Sequence, residues 1–363
     1  MNIYEVQLRQ ESPVLVSGIA ADSRYLKHST SYIEGYTLRG ALLTYISREL
    51  KKDVKEEALK PTIIFHPAYP TFKKEVSRPA HPLLLCCKVC REDKIFPSID
   101  SIEKIRDFDI NELFKVTCRR GHLYTVSNMK GELVVKIDKT YYKLSQYLQS
   151  LDSTAINKYV KSSEIGMLFG YLTLLPVHEE DGQLKQNIFI GKIVDTENKL
   201  ENLLEEEDFE IKIGRGKSKG FGKFNVHIKL LENYVEKRTK IIENVLQKTN
   251  NIIMLRSLSL SFGLEINNHG IFTNLKLDLD AKPHYVLKDK NYLLTGIKTI
   301  SGFSLKVAHG GIPKPRISGA APGSLFFYEI NTDKANYLAE KELKGFGPLS
   351  YGGLNILEVV TDV

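Results

Sequence analysis

The segment Ile213-Gly214-Arg215-Gly216-Lys217-Ser218-Lys219-Gly220-Phe221-Gly222-Lys223-Phe224 constrains this chain more than any other. Four Gly in nine residues permit positive φ and close approach of another backbone. Arg215, Lys217, Lys219 and Lys223 add four positive charges. Exposed N–H groups beside cations make an anion cradle. The order G-x-x-x-x-G-K-[ST] with a helix behind it is missing, and Phe224-Asn225-Val226-His227-Ile228 alternates as a strand. Those two facts exclude a nucleotide phosphate loop and a dinucleotide fold. The bland alternative is a glycine-rich hairpin whose charges are merely solvated.

The rest of the chain supplies strands in greater number than helices. Tyr4, Val6 and Leu8, then Val14-Leu15-Val16, carry the period of two that marks a strand. Leu38, Leu42, Tyr45, Ile46 and Leu50 fall on one face of a helix, with Thr37 as its expected N-cap. Residues 132–137, 140–144, 167–177, 224–231, 252–262, 272–279 and 356–360 read as strands, 154–162 as a helix, and 232–248 as a connecting helix. The two halves rhyme, each opening with strands and closing on a glycine-rich loop that feeds a strand. That pattern predicts an α+β protein with antiparallel sheets and not a doubly wound one. The expected division is residues 1–235 and 236–363, with an insertion over about 80–130 punctuated by Pro79, Pro82 and Pro97.

All four Cys lie in that insertion. Cys87-Lys88-Val89-Cys90 and Cys118-Arg119-Arg120-Gly121-His122 are two short-spaced ligand pairs, the pattern of a tetrahedral structural zinc site. Cys87, Cys90, Cys118 and His122 are the expected Zn2+ ligands. Four protein ligands leave no position for water, so the metal would fold the insertion and perform no chemistry. Cys86, after Leu83-Leu84-Leu85, reads as a buried small apolar residue.

The net charge of +7 admits an anionic partner such as nucleic acid, and its segregation from acidic runs such as Glu205-Glu206-Glu207-Asp208 favours a local basic surface. The opening residues carry no basic, then apolar, leader pattern, and Gly166–Val177 is too short and too polar to span a bilayer. A cytoplasmic protein without membrane contact is expected.

With its basic glycine-rich loop before a strand, the chain resembles the RAMP superfamily of CRISPR-associated proteins. Ile33-Glu34-Gly35-Tyr36-Thr37-Leu38-Arg39-Gly40-Ala41-Leu42 is similar to the family's helix start, although Glu34 stands where Pro is common. Ile300-Ser301-Gly302-Phe303, Pro313-Lys314-Pro315-Arg316 and Ala321-Pro322-Gly323-Ser324-Leu325-Phe326-Phe327 resemble the second-domain signature of the subunit that caps the guide-RNA tag in type III, III-D-like, effectors. Phe303 replaces the usual Trp there. Gly345–Gly353 resembles that group's terminal loop. The resemblance implies two ferredoxin-like (RRM-like) domains facing across a groove, with the zinc-binding insertion in the first. It implies a non-catalytic RNA-binding subunit in antiviral defence that holds the 5′ repeat-derived tag of a guide RNA. The implied protein partners are the large polymerase-like subunit and the backbone subunits.

The residues expected to touch RNA are Arg24, Lys27, His28, Arg39, Arg215, Lys217, Ser218, Lys219, Lys223, His309, Lys314 and Arg316. Base stacking is expected from Tyr25, Tyr32, Tyr36 or Phe221, and the sequence does not choose among them. The superfamily's other occupation is metal-independent cleavage of precursor guide RNA, for which His28 is the candidate general base with Lys27 and Tyr32 as helpers. Asp278 and Asp280 alternate between Leu residues, the pattern of a solvated strand face more than of a two-metal site. His66, His81 and His178 sit near Pro in expected loops and carry no pattern.

Overall fold

The computed structural model describes residues 1–16, 26–90, 95–99, 101–108, 110–111, 116–118, 120–122, 126–129, 131–156, 159, 163–263, 275–300, 303–304, 312–313 and 317–361. It is a mixed α/β protein whose sheets are mostly antiparallel.

The first half is built on a seven-stranded sheet. Its order is Asp208–Lys212, Lys223–Leu230, Asn2–Gln10, Ile188–Asp195, Tyr69–Phe72 and Glu75–Val76, with Ile63–Phe65 also paired to Ile188–Asp195. Alternation in Asn2–Gln10 decides what each face meets. Tyr4, Val6 and Leu8 turn to the helix Gly35–Arg48, where Leu38, Leu42 and Ile46 are buried against them. Each fully buried Leu or Ile on that face contributes about 1.5–3 kcal/mol. Ile3, on the opposite face, joins a core shared with Leu258, Leu343 and Ile356 of the second half.

The helix does not begin where expected. Glu34 is the extended residue at its N-cap, and Thr37 lies inside the first turn with its N–H donating to the Glu34 carbonyl at 2.9 Å. The Glu34 side chain makes no cap, because its carboxylate accepts from the Tyr32 hydroxyl at 2.9 Å and from Lys298 at 2.5 Å.

Two further sheets fill the excursion between Phe72 and Ile188. One has six strands, in the order Arg78–Pro79, Leu133–Ile137, Thr140–Lys143, Ile95–Pro97, Leu84–Cys87 and Val126–Asn128. The other joins Gln146–Ile156, Ser163–Glu180 and Gln183–Gln186, with Leu26–His28 lying parallel to Ser163–Glu180. The helix expected over 154–162 is absent among the described residues. Residues 154–156 continue a strand whose long cross-strand register with Ser163–Glu180 overrides weak helical spacing. His178 lies on that strand and not in a loop.

The second half repeats the strand order of the first. Leu357–Val359, Ile252–Ser257 and Leu325–Glu329 are neighbours, and Lys282–Pro283 and Tyr292–Leu293 both pair with Leu325–Glu329. In each half the chain's last strand lies beside its first, then its third, then its second. Helices Tyr234–Lys248 and Ala335–Lys344 pack together over this sheet, burying Ile242, Val245, Leu246, Leu338 and Ala339. Arg238 crosses between the helices to the buried Glu342 with two bonds of 2.6 and 2.7 Å. Residues 275–279 of the expected strand 272–279 are irregular, and 272–274 lie outside the described residues. Asp278 and Asp280 are drawn apart instead, pairing with Lys341 at 2.9 Å and Lys334 at 2.5 Å.

The halves are joined by buried polar contacts. Glu358 receives Arg78 and Arg256, the Tyr69 hydroxyl donates to the Leu258 carbonyl, and His66 Nε2 donates to the Leu343 carbonyl at 2.9 Å. The second half's core also takes in Leu83, Ile99, Ile102 and Ile105 from the excursion. No helix among the described residues is long and apolar enough to cross a membrane.

Candidate nucleic-acid interface and metal centre

The strands Asp208–Lys212 and Lys223–Leu230 form a hairpin, and the basic segment is its connection. Ile213 N–H donates to the Gly222 carbonyl at 2.7 Å and closes the loop. Gly222 N–H then donates to Pro13 at 2.8 Å and Arg215 N–H to Leu15 at 2.9 Å, so the loop is stapled to residues 13–15. A Cβ at Gly222 would stand 1.9 Å from the Ile213 carbonyl oxygen, and one at Gly214 would stand 2.5 Å from that of Leu15; both have positive φ. The glycines are therefore needed for backbone contact within the protein.

The tip between them is a short 3-10 turn, Lys217–Lys219. Arg215, Ser218 and Lys219 are exposed on it, whereas Lys217 is half-buried. Burial lowers the pKa of the Lys217 ammonium, and repulsion from Arg48 and Lys212 adds to the effect. That cation lacks full solvation and gains by meeting an anion. Lys217 and Arg215 line a cleft of about 290 Å3 with Thr37 and Gly40 of the first helix.

Lys219 Nζ lies 4.8 Å from the centre of the Tyr171 ring. Tyr171 is opposite Lys27, and Leu172 is opposite His28, in the parallel pairing of their strands. The loop and the Leu26–His28 strand thus meet around one aromatic ring. Tyr171 was not singled out by sequence, since nothing local distinguishes it from the other Tyr residues.

Other expected contacts are committed elsewhere. Arg39 donates to the Glu57 carbonyl at 2.7 Å and stands 3.8 Å from its carboxylate. Lys223 pairs with Glu210 at 2.7 Å, which raises its pKa. Tyr32 is buried and stacked on Tyr69 at 4.8 Å, which removes it as a base platform and as an accessible helper to His28. Tyr36 and Phe221 are half-buried, Tyr36 in the cleft wall and Phe221 against Gly216. Arg24, Tyr25, His309, Lys314 and Arg316 lie outside the described residues, as does the side chain of Lys27. His28 is half-buried.

A second constellation lies on the six-stranded sheet. Cys87 ends the strand Leu84–Cys87 and Cys90 follows in the turn. Cys118 and His122 flank another turn, in which Gly121 N–H donates to the Cys118 carbonyl at 2.8 Å. The three sulfurs and His122 Nδ1 lie within 4.8 Å of one another. Nδ1 is 3.6, 3.4 and 3.3 Å from Cys87, Cys90 and Cys118, and the Cys90 and Cys118 sulfurs are 3.7 Å apart. A tetrahedral zinc with bonds of about 2.3 Å to sulfur and 2.0–2.1 Å to nitrogen requires ligand separations of about 3.5–3.8 Å. Desolvation, then hydrogen bonding with Cys87 and Cys118, pushes the Cys90 thiol up to about 11; a divalent cation would reverse that balance. The four residues therefore form a set able to hold a metal ion. Cys86 is half-buried and outside the set.

The family model of the RAMP superfamily matches residues 22–225, more than half of the chain. No curated protein sequence matches it. Among solved structures, a chain of the Type III-B Cmr-beta bound to cognate target RNA aligns over 97% of this chain and 96% of its own, at 10% identity and TM-score 0.48. A chain of the Csm3-Csm4 subcomplex in the type III-A CRISPR-Cas interference complex aligns over 91% and 93%, at 15% identity and TM-score 0.38. Oligomeric Cmr4 from Pyrococcus furiosus aligns over 62% of this chain and 98% of its own, at 12% identity and TM-score 0.28.

Proposed function

Because the chain belongs to the RAMP superfamily, we propose that it is a non-catalytic RNA-binding subunit of a type III CRISPR effector ribonucleoprotein. On this reading it holds the 5′ tag of the guide RNA and contacts the large subunit and the first backbone subunit. The observation that carries the reading is the stapled loop 213–222, which fixes its backbone on residues 13–15 and leaves Arg215 and Lys219 exposed. Fixed cations of this kind neutralise phosphates without reorganising, and the cleft beside Lys217 gives the strand a path. The matching strand orders support two ferredoxin-like domains, 1–235 and 236–363, the first interrupted by the metal-bearing sheet.

The ligand set Cys87, Cys90, Cys118 and His122 suits Zn2+, three thiolates and one imidazole being its usual company in structural sites. We expect about one zinc per chain by metal analysis. Chelation should loosen 84–143 before the sheet that carries Asn2–Gln10. A metal-free native protein with Cys87 and Cys90 both open to alkylation would end the zinc assignment.

The functional test is to tag the chain in its host, purify it gently, and sequence the RNA that accompanies it. Short guide RNAs sharing one 5′ tag, together with a large polymerase-like subunit, are the expected result. His28 stands on the strand beside the loop, where a general base for 2′-OH attack would also stand. A chain that came alone, cut repeat RNA without metal, and lost that activity as His28→Ala would replace the binding role with a processing nuclease.

A further inference from the structure

A second cleft, of about 550 Å3, opens directly after His28 in the chain, between residues 29–32 and the start of the strand Gln146–Ile156. Its floor is apolar, formed by the buried Leu133 and Leu144. Leu148, still 49% exposed, stands at one side. The rim is polar and held in place. Ser29 Oγ accepts from Val16 N–H at 3.1 Å, and Thr30 Oγ1 donates to the Tyr32 carbonyl at 2.7 Å. Lys143 and Glu132 form an ion pair of 3.3 Å at the mouth.

Gln146 is the anomaly in this wall. The strand's register with Ser163–Glu180 shifts between Gln146 and Leu148, the kind of irregularity that re-aims a side chain. Its amide nitrogen and its amide oxygen are both buried, and neither has a hydrogen-bond partner among the described residues. A buried amide with neither its donor nor its acceptor used is an unfavourable state that calls for a missing partner. An amide presents donor and acceptor side by side, the complement of a nucleobase edge, and Gln pairs with adenine in this way. An apolar slot with one polar edge matches a single flat ring. The mouth carries Lys143 where a flanking phosphate would lie.

We propose that this cleft holds one splayed nucleobase of single-stranded RNA, adenine in preference, with the Gln146 amide bonding its edge. The assignment rests on the RNA-binding reading above and adds base recognition to a surface otherwise specific only for phosphate.

The test uses the full chain and three short single-stranded probes: oligoadenylate, oligouridylate and an abasic ribose-phosphate strand. Gln146→Ala should weaken oligoadenylate by about tenfold and leave the abasic strand unchanged. Leu148→Asp, at an exposed position, should produce the same selective loss without touching the amide. Equal losses on all three probes would mean that Gln146 acts through the fold, and would overturn the proposal. A changed melting temperature with unchanged affinities would assign the amide to an internal water and overturn it equally. If the wild-type chain bound none of the probes, the RNA-binding reading itself would fall and this one with it.

Discussion

The two glycine-rich loops of this chain look alike in sequence and do opposite things. The loop 213–222 carries its cations on a turn that faces outward. The closing loop 345–353 holds no Lys or Arg. Its Phe346 is fully buried, and Asn355 behind it bridges the Pro348 carbonyl at 2.9 Å and the Phe262 N–H at 2.7 Å. A Cβ on Gly353 would stand 2.7 Å from the Gly35 Cα and 2.7 Å from the Phe65 carbonyl oxygen. The closing loop is thus pressed against the first half. Glycine content reports only that another backbone comes close; charge tells whether an exposed surface lies beyond it. The expectation of an RNA-facing role holds as a proposal for the first loop alone.

The strand fed by the closing loop should give the largest effect. Burial alone would raise the pKa of Glu358, but Arg78 and Arg256 outweigh it and hold the carboxyl well below the usual range. Glu358→Gln leaves both guanidiniums unpaired in the junction and should cost about 3–5 kcal/mol in urea unfolding. Because its folded pKa lies below the unfolded value of about 4.3, the stability it contributes is complete above that pH and is lost as pH falls below it. Two buried histidines begin the loss earlier. Burial first, then nearby cations, lowers His66 from 6.5 to about 4 and His81 from 6.5 to about 3. The unfolded chain takes up those protons from about 6.5 downward, so acid destabilises the junction in two stages, and Glu358→Gln should remove only the lower one.

Gly353→Ala comes next, at about 2 kcal/mol or more, since the residue has φ +74 and no room for a methyl group. The folded fraction should bind RNA as the wild type does. Stability retained with RNA affinity lost would assign both loops one role. The smallest stability effect belongs to Lys217→Ala combined with Lys219→Ala, within about 0.5 kcal/mol. There the change should appear in binding, as a salt slope shallower by about 1.4 for two phosphate contacts removed. An unchanged slope would move the RNA path away from the loop.

What sequence made legible follows the range of the forces involved. The helix Gly35–Arg48, the strand Asn2–Gln10 and the hairpin around the basic loop follow from local periodicity, and the four metal ligands from short spacing. Long-range partners were not legible. Arg39 is held by Glu57, Lys223 by a cross-strand Glu210, and Tyr32 by Tyr69 beneath it. Thr37 lost the cap because Glu34 is fixed by Lys298, far away in the chain. Tyr171 and Gln146 gain their meaning only from strand register and a register shift.

The sharing of Leu83, Ile99, Ile102 and Ile105 with the core of residues 242–360 has a consequence for how the protein is made. These apolar side chains leave the ribosome well before the residues that cover them. At about 5–20 residues per second, they wait for roughly ten seconds or more with their oily faces uncovered. The nascent chain therefore passes through a stage at which its first half is synthesised but not closed, and that is the stage at which a holdase or a prebound metal would most improve its yield.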